Sequence, residues 1–244
     1  MHEAKSTSTP LAMHDKLSDK QKPSSAKEMR DMEVIPYSNL VGSLMYTMVC
    51  TRPDIAHVIS VCSRYMADPG KDHWEVLKKV LRYLKGSADK ALLFERNVEY
   101  SGDPIVGFTD SDYAANEDNR RSQSGYIFTL FGSAVSWKSS LQHVVALSTT
   151  EAEYMAVTEA VKEALWLKGI VSDFGIEQKS HQTFHERSKH ISVKLHFVRD
   201  IVEKGDVRME KVSTDDNASD ILTKAVPVAK FEYCLELVKL ISKP

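Results

Sequence analysis

Apolar residues recur at helical spacing between residues 37 and 87, and this periodicity predicts three helices. The stripe is broken at Thr51–Asp54. There one helix is expected to end and the next to begin, with Thr51 as N-cap and Asp54 as its capping-box partner. Gly86 is expected to end the third helix. The apolar positions are Leu40, Leu44, Met48 and Val49; Ile55, Val58, Ile59 and Cys62; and Trp74, Leu77, Val80, Leu81 and Leu84.

From about residue 91 the pattern changes to short β-type runs separated by turn residues. Strands are predicted at 91–94, 105–110, 125–131 and 134–138. Gly132-Ser133 is predicted to form a two-residue hairpin turn. These runs indicate three antiparallel strands in one sheet.

Helical periodicity then returns. Ser148–Glu151 has the pattern of a capping box and predicts the start of a long helix that runs through Phe174 and stops at Gly175. Its apolar stripe is Tyr154, Val157, Val161, Leu165 and Ile170. The later pattern predicts a helix at about 189–203, a strand at 207–212 and short helices at about 217–224 and 228–241. The order of elements is typical of an α/β sheet domain.

Composition places the chain among ordinary globular proteins. It has 244 residues, of which 42% are hydrophobic and 27% charged, and a formal charge of −2. A polyanion partner would therefore need locally gathered positive charge. Residues 1–30 are polar and are expected to form a disordered tail. Three scattered cysteines, and the lack of a long apolar run or signal-peptide core, predict a chain that is outside membranes and intracellular, either cytoplasmic or nuclear.

Two acids, Asp110 and Asp112, stand at the end of the apolar strand 105–110. Residues two apart point to the same side of a strand. A buried carboxylate is costly without compensation. The two carboxylates at this strand end therefore need a metal ion, an arginine or open solvent to compensate their charge.

Two further acidic sites are candidates for the same pocket. Glu151 and Glu153 fall in the first turn of the long helix, where acids are favoured by the helix dipole, and capping already explains Glu151. Glu153 has no capping role and lies on the apolar side. Asp220 lies in a segment that Asn217 caps. Acids from three elements suggest two-metal phosphodiester hydrolysis, in which hard carboxylate oxygens hold two Mg²⁺ ions about 4 Å apart.

Six motifs, in order, resemble the ribonuclease H domain of copia-type retrotransposon Pol polyproteins. Upstream, the stretch from Tyr37 to Gly86 resembles the C-terminal end of the reverse transcriptase and its connection, with Cys50-Thr-Arg-Pro-Asp-Ile55 and Arg82-Tyr-Leu-Lys-Gly86. The resemblance covers nearly everything from about residue 10 to the end. The six motifs are Phe108-Thr-Asp-Ser-Asp-Tyr-Ala114, Arg121-Ser-Gln-Ser-Gly-Tyr126, Ala134-Val-Ser-Trp-Lys138, Leu147-Ser-Thr-Thr-Glu-Ala-Glu-Tyr154, Phe184-His-Glu-Arg-Ser-Lys-His-Ile191 and Asn217-Ala-Ser-Asp-Ile-Leu-Thr-Lys224.

The resemblance implies a ribonuclease H-like mixed sheet flanked by helices, and Mg²⁺-dependent cleavage of RNA in RNA–DNA hybrids during reverse transcription. Asp110 matches the first catalytic and metal-binding aspartate, and Asp220 the last. Glu153 matches the glutamate better than Glu151 does, and the role of Asp112 stays open. The implied partners are the hybrid and the polymerase portion of Pol, with two Mg²⁺ ions in the family.

The chain departs from the family near residues 180–183. The family has a further strand ending in an aspartate there, followed by a helix, and both are missing here; Glu177 does not replace the acid. The strand at 207–212 is then expected to pair directly with 105–110 or to stay unpaired. With three acids instead of four, one or no Mg²⁺ is expected to bind. The implied layout is a tail at 1–30, a helical segment at 31–88 and a ribonuclease H-like domain at 89–244.

The leading interpretation is a Pol fragment whose hybrid nuclease is impaired, so whether the chain is an enzyme stays open. The alternatives are a still active hybrid nuclease, a non-catalytic module that binds nucleic acid or protein, and a poorly folding relic. A zinc site at His185, His190 and His196 is disfavoured because their spacing does not share one helix face. A basic stretch at 187–199 is diluted by acids, which favours a solvated helix face. The Tyr-x-Asp-Asp turn of a polymerase is absent from the sequence.

Overall fold

The computed structural model describes residues 3–94, 103–176 and 192–242, with no side chains at 192–195. These residues form a mixed α/β structure with two antiparallel sheets. The helices are α1 Ala26–Glu33, α2 Tyr37–Thr51, α3 Ala56–Cys62, α4 Lys71–Gly86, α5 Thr149–Asp173, α6 Ser192–Glu203 and α7 Val228–Leu237, and the strands are β1 Lys90–Leu92, β2 Ile105–Asp112, β3 Gln123–Leu130, β4 Ser133–Leu141 and β5 Leu240–Ser242. Short 3-10 turns lie at Asp19–Gln21, Pro53–Ile55, Ser63–Tyr65, Thr214–Asp216 and Ala218–Leu222.

The main sheet has the order β2-β3-β4, so β3 is central and β2 is an edge. Asp110 on β2 pairs with Gly125 on β3, which in turn pairs with Ser139 on β4. The β3–β4 turn is formed by Phe131 and Gly132, both with positive φ, at 51° and 83°. The predicted turn at Gly132-Ser133 was thus wrong by one residue. A two-residue turn that matches the strand twist needs positive φ at both central positions.

Helix α5 packs against this sheet, as its apolar stripe predicts. The Ser148 hydroxyl accepts a hydrogen bond from the Glu151 backbone N–H at 3.1 Å. The Glu151 carboxylate accepts from the N–H of Leu147 at 2.7 Å, rather than from that of Ser148 as in a regular capping box. The start of α5 is therefore fixed by two reciprocal bonds. This start is the part of the helix that carries Glu153.

The helical segment and the C-terminal elements share one hydrophobic core. Ile55 and Leu77 from the first helices lie in the same buried cluster as Ile127 of β3, Leu222 and Leu235. Strand β5 pairs with β1 in a second, two-stranded sheet. The predicted division at residue 88 therefore does not separate two hydrophobic cores.

The break at Thr51–Asp54 differs from its prediction. Helix α2 ends at Thr51, and a 3-10 turn at Pro53–Ile55 precedes α3 with no side-chain cap. Asp54 instead forms a bidentate pair with Arg52, whose Nη2 lies 2.7 Å from the Asp54 Oδ2. The charge-assisted hydrogen bonds from Arg52 stabilise the Asp54 carboxylate more than a capping hydrogen bond from a backbone N–H would.

The N-terminal segment is ordered where residues 3–30 are described, contrary to the predicted tail. Leu11 and Leu17 are both 8% exposed and join the main core. The Ser18 carbonyl lies 3.2 Å from the His73 Nε2, and the Asp19 N–H donates to Asp118. Partners far along the chain order the segment, and composition does not reveal them.

The strand predicted at 207–212 is not formed. Val207 is buried and Met209 packs on the core, so the alternation is present, but only Arg208 makes an isolated bridge. A single bridge at Arg208 therefore stands in place of a paired strand. The predicted loss of a strand and a helix near residues 180–183 lies outside the described residues. The β2 edge is partly covered, because the Asn217 side-chain N–H donates to the Thr109 carbonyl of β2 at 3.1 Å.

Two remaining predictions concern cysteines and membranes. Cys62 and Cys234 are buried as expected, whereas Cys50 is exposed, and none of the three forms a disulfide. No helix in the described ranges is both long and apolar enough to cross a bilayer.

Candidate functional site

Strand β2 carries the first acid near its end, just before the β2–β3 loop. Asp110 is 9% exposed, and Asp112, two residues on along the same strand, is half-buried. The Asp110 carboxylate accepts a short hydrogen bond from the Thr223 hydroxyl. A buried acid is thus tied directly to the C-terminal segment, which carries the third candidate acid.

That segment is placed by an asparagine and a glycine. The Asn217 Oδ1 caps the 3-10 turn Ala218–Leu222 by accepting from the backbone N–H of Ser219 at 3.1 Å. Gly125 lets the turn lie on the sheet, since a Cβ there would come within 2.7 Å of the Leu222 Cβ. As Gly125 pairs with Asp110 on β2, the turn brings Asp220 to the same strand end.

Lys224 joins the two aspartates. Its ammonium Nζ lies 3.2 Å from the Asp110 Oδ2 and 3.1 Å from the Asp220 Oδ1. Lys230 adds a weaker contact, with its Nζ 3.6 Å from the Asp220 Oδ2. The Lys224 ammonium, four residues beyond Asp220, therefore supplies positive charge that compensates the two buried aspartates.

Glu153 approaches from the second turn of α5, because only Glu151 of the two acids falls in the first turn. Its pKa is raised from 4.5 to about 7, mainly by burial and next by the negative charge of Asp110, while Ser111 and Lys224 oppose the rise. Only a carboxylate close to Asp110 would respond to it in this way. Lys224 thus links Asp110 to Asp220, and Glu153 lies within electrostatic range of Asp110; we call these three acidic side chains the carboxylate cluster. Glu151 points its carboxylate back to Leu147 instead.

The electrostatics of the carboxylate cluster show an excess of negative charge. Burial raises the pKa of Asp220, and Asp110 adds to that rise. Burial also raises the pKa of Asp112, with Asp110 adding and Lys224 opposing. For Lys224, burial alone would lower the pKa, but Asp110 and Asp220 outweigh it and the net pKa is raised. The ammonium groups of Lys224 and, more distantly, Lys230 do not balance the four acids Asp110, Asp112, Glu153 and Asp220, so the site keeps an excess of negative charge.

The arrangement of side chains does not match a metal centre. Within 3–94, 103–176 and 192–242, no group of three or more Asp, Glu, His or Cys side chains lies close enough to ligate one ion. The ammonium of Lys224 stands between the two aspartates that would have to share a cation. The chemistry of the donors suits Mg²⁺, but their placement does not.

Comparison with known proteins identifies the family. The chain is 48% identical over 98% of its length to the retrovirus-related Pol polyprotein from transposon TNT 1-94 of Nicotiana tabacum, and 35% identical over 85% of its length to that from transposon RE2 of Arabidopsis thaliana. The chain belongs to the copia-type retrotransposon Pol polyproteins. It spans only 19% and 15% of those two Pol polyproteins.

A shorter relative of this Pol fragment is a protein described as the secreted RxLR effector protein 161 of Plasmopara viticola. It is 48% identical over 136 residues, which make up 56% of this chain and 94% of that protein. No family model and no solved structure matches the chain. The comparisons therefore give this Pol fragment its family through its sequence relatives alone.

Other candidate residues stand apart from the site. His196 and Arg199 are exposed on α6. The remaining two histidines of the disfavoured zinc site, and Glu177, lie outside the described residues. Sequence analysis missed Lys224 as the ion-pair partner of two acids and Gly125 as the point of close approach. The spacing of four between Asp220 and Lys224 was the available signal for the ion pair.

Proposed function

We propose that this Pol fragment carries a ribonuclease H-like domain that engages RNA–DNA hybrids but cleaves them poorly or not at all. The observation that carries the proposal is the convergence of Asp110, Glu153 and Asp220, which come from a strand end, a helix start and a C-terminal turn. Carboxylates are the side chains that metal-dependent phosphodiester hydrolysis uses. These three also match, position by position, the acids that the family resemblance implies.

The proposed impairment rests on the number and placement of the acids. Hydrolysis with two metal ions needs several carboxylates directed at both ions. This cluster offers three, and the segment that carries the fourth acid in the family is missing from the sequence. We therefore expect weak binding of one Mg²⁺ ion or none.

The proposal is tested by incubating the full chain with a 5′-labelled RNA–DNA hybrid and Mg²⁺, and resolving the RNA products by length. We expect cleavage no faster than that by the Asp110→Asn variant, which removes the central acid while keeping its size. Mg²⁺-dependent cleavage that Asp110→Asn abolishes would falsify the impairment and assign a working hybrid nuclease.

The same samples separate the remaining alternatives. Salt-dependent binding of the hybrid without cleavage supports a domain that retains only recognition. A broad, non-cooperative thermal melt would indicate a relic without a fixed core. The single core shared by the helical segment, the sheet and α7 argues for one cooperative transition. The polymerase portion of Pol is the proposed partner in the intact polyprotein.

A further inference from the structure

The first residues of the chain run along helix α4. We call residues 3–22 the strap. Near the end of α4, the Lys85 ammonium donates a hydrogen bond to the Ala4 carbonyl at 2.9 Å. Near the start of α4, the His73 Nε2 lies 3.2 Å from the Ser18 carbonyl oxygen. The strap therefore crosses α4 from its end to its start, in the direction opposite to that of the helix.

A glycine at each end of α4 makes room for the strap. A Cβ on Gly70 would collide with the Gln21 carbonyl oxygen, and a Cβ on Gly86 would come within 2.7 Å of the Ser6 Cβ. Gly70 has φ −98° and ψ 178°, a conformation that other residues adopt readily. The close approach of the strap, and not the backbone conformation, is therefore what requires a glycine at Gly70.

Beyond α4 the strap holds the loop between β2 and β3. The Asp19 N–H donates to the Asp118 Oδ1 at 2.9 Å, and the Lys16 Nζ lies 3.4 Å from the Glu117 Oε1. The other Asp118 oxygen accepts a hydrogen bond from the Tyr65 hydroxyl of the helical segment at 3.2 Å. The loop that directly follows the acids of β2 is thus clamped between the strap and the helical segment.

A cavity of about 280 Å³ lies between the strap and this part of the sheet domain. Leu11, Met13 and Leu17 of the strap line one side of it, and Asp112 and Lys224 line another. The Lys224 ammonium is the group that joins the two aspartates of the carboxylate cluster. Movement of the strap away from the loop would therefore open the cavity beside the carboxylate cluster.

The contacts of the strap can break without loss of the core. Its apolar anchors, Leu11 and Leu17, are two small parts of a large buried cluster. The side chains of the Lys16–Glu117 pair are 74% and 45% exposed, so this pair contributes little. Within residues 3–22, regular structure is limited to the 3-10 turn Asp19–Gln21. Such a segment opens locally at a free energy well below that of global unfolding.

We propose that the strap is an autoinhibitory contact, which holds the β2–β3 loop in place and closes the cavity beside the carboxylate cluster. A ligand that needs the open cavity then binds with an affinity reduced in proportion to the fraction of chains whose strap is free. The identity of this ligand as an RNA–DNA hybrid rests on the proposed function. The coupling between the strap and the loop does not.

The first experiment measures this coupling by hydrogen exchange and mass spectrometry. Gly70→Ala forces the strap away from α4, and we expect exchange to become about tenfold faster both in residues 3–22 and in the loop at 113–122. Gly42→Ala is the matched control, because Gly42 lies in α2 and a Cβ there meets nothing within 4 Å. It should leave exchange in both segments unchanged. Faster exchange in the strap alone overturns the proposal.

Asp118→Ala tests the same coupling from the loop and serves if Gly70→Ala does not fold. Asp118 is exposed, so its loss should change the Tm little. The variant removes the acceptor of the Asp19 N–H, and because coupling is reciprocal the strap should exchange faster as well as the loop. An unchanged strap in Asp118→Ala contradicts the proposal.

The second experiment measures access to the site without nucleic acid. Carboxyl groups are labelled with a water-soluble carbodiimide and glycine ethyl ester, and the modification of Asp112 is quantified by mass spectrometry against Glu232, which is exposed on α7. We expect labelling of Asp112 to be roughly threefold faster in Gly70→Ala and Asp118→Ala than in wild type and Gly42→Ala. Equal rates in all four proteins overturn the autoinhibition.

The third experiment measures binding of a fluorescent RNA–DNA hybrid by anisotropy in EDTA, where metal-dependent cleavage cannot occur. Both strap variants should bind about threefold more tightly than wild type and Gly42→Ala. If labelling of Asp112 rises while hybrid affinity is unchanged, the hybrid is not the ligand that the strap excludes. If labelling rises and no form of the chain binds hybrid, the proposed function fails and the strap remains a cover for the carboxylate cluster.

Discussion

Two groups of buried charges lie in the two halves of the molecule, and they differ in balance. In the helical half, Arg52 and Asp54 form one pair, with side chains 8% and 0% exposed. The Arg52 guanidinium also donates to the Ser87 carbonyl at 3.1 Å, and the Tyr83 hydroxyl donates to Asp54. In the sheet half, the carboxylate cluster and Asp112 share Lys224 and the more distant Lys230.

The two groups of charges differ in how they shift the pKa values of their own residues. In the Arg52–Asp54 pair every charge has a partner of the opposite sign, and burial raises the pKa of Tyr83 so that its hydroxyl remains a donor. In the carboxylate cluster, burial and Asp110 raise the pKa values of Glu153 and Asp220. A buried pair of opposite charges stabilises the fold. An excess of buried charge of one sign instead shifts the pKa values of its members, and such shifts are typical of functional sites.

The largest expected effect comes from breaking the balanced pair. Asp54→Asn leaves the Arg52 guanidinium buried without a counter-charge and should lower the free energy of unfolding by about 3–5 kcal/mol. Urea unfolding followed by circular dichroism measures it. A loss below about 1 kcal/mol would show that the pair is not structural and would remove the contrast between the two halves.

Removing the shared ammonium should have an intermediate effect. Lys224→Met leaves Asp110 and Asp220 without their nearest cation, but the Lys224 side chain is 35% exposed, so solvent screens part of the loss. We expect a decrease of about 2 kcal/mol near pH 7 in the same urea titration. Lys162→Met, which breaks an exposed pair with Glu159, is the control and should change stability by at most about 0.5 kcal/mol. If Lys224→Met lowers the free energy of unfolding as much as Asp54→Asn does, the two groups of buried charges do not differ in balance.

The smallest effect should have the opposite sign. Because the pKa of Glu153 is raised from 4.5 to about 7, the folded chain holds a proton that the unfolded chain has lost between those values. Wild-type stability therefore falls as pH rises through this window, and the full cost is present above it. Glu153→Gln removes the cost and should be more stable than wild type by roughly 1–2 kcal/mol at about pH 8, with no difference near pH 4.

Glu151→Gln is the matched control for that experiment, since both residues lie near the start of α5. Its carboxylate accepts from Leu147 at 2.7 Å, so the amide weakens a charge-assisted bond and should destabilise slightly. Destabilisation by Glu153→Gln at the higher pH would contradict the excess of negative charge in the cluster.

Local periodicity predicted the elements that are stabilised by one buried face. The long helix, found as Thr149–Asp173, and the three strands of the main sheet follow from their apolar spacing. The strand expected at 207–212 failed for a different reason. Its period of two is present in Val207 and Met209, but a strand also needs a neighbouring backbone to pair with, and spacing carries no information on that.

Long-range contacts explain the other differences. The segment 3–30 looks disordered by composition, yet Leu11 and Leu17 reach a core built from much later residues. In the same way, the sequence pointed to Asp110, Glu153 and Asp220 through motif resemblance, but no local pattern indicated that Gly125 lets the turn that carries Asp220 lie on the sheet. Their catalytic and metal-binding roles stay predictions. The pairing of Lys224 with Asp220, by contrast, follows from their spacing of four residues.

The close approach at Gly125 has a consequence for how degraded copies of a retrotransposon are recognised. The bare backbone at this position is what allows Leu222 and the turn that carries Asp220 to lie on the sheet. Any side chain there would push the turn away while leaving all three acids in the sequence. A survey of degraded copies that counts only acids would score such a copy as intact, so an inventory of surviving elements must also include this uncharged position.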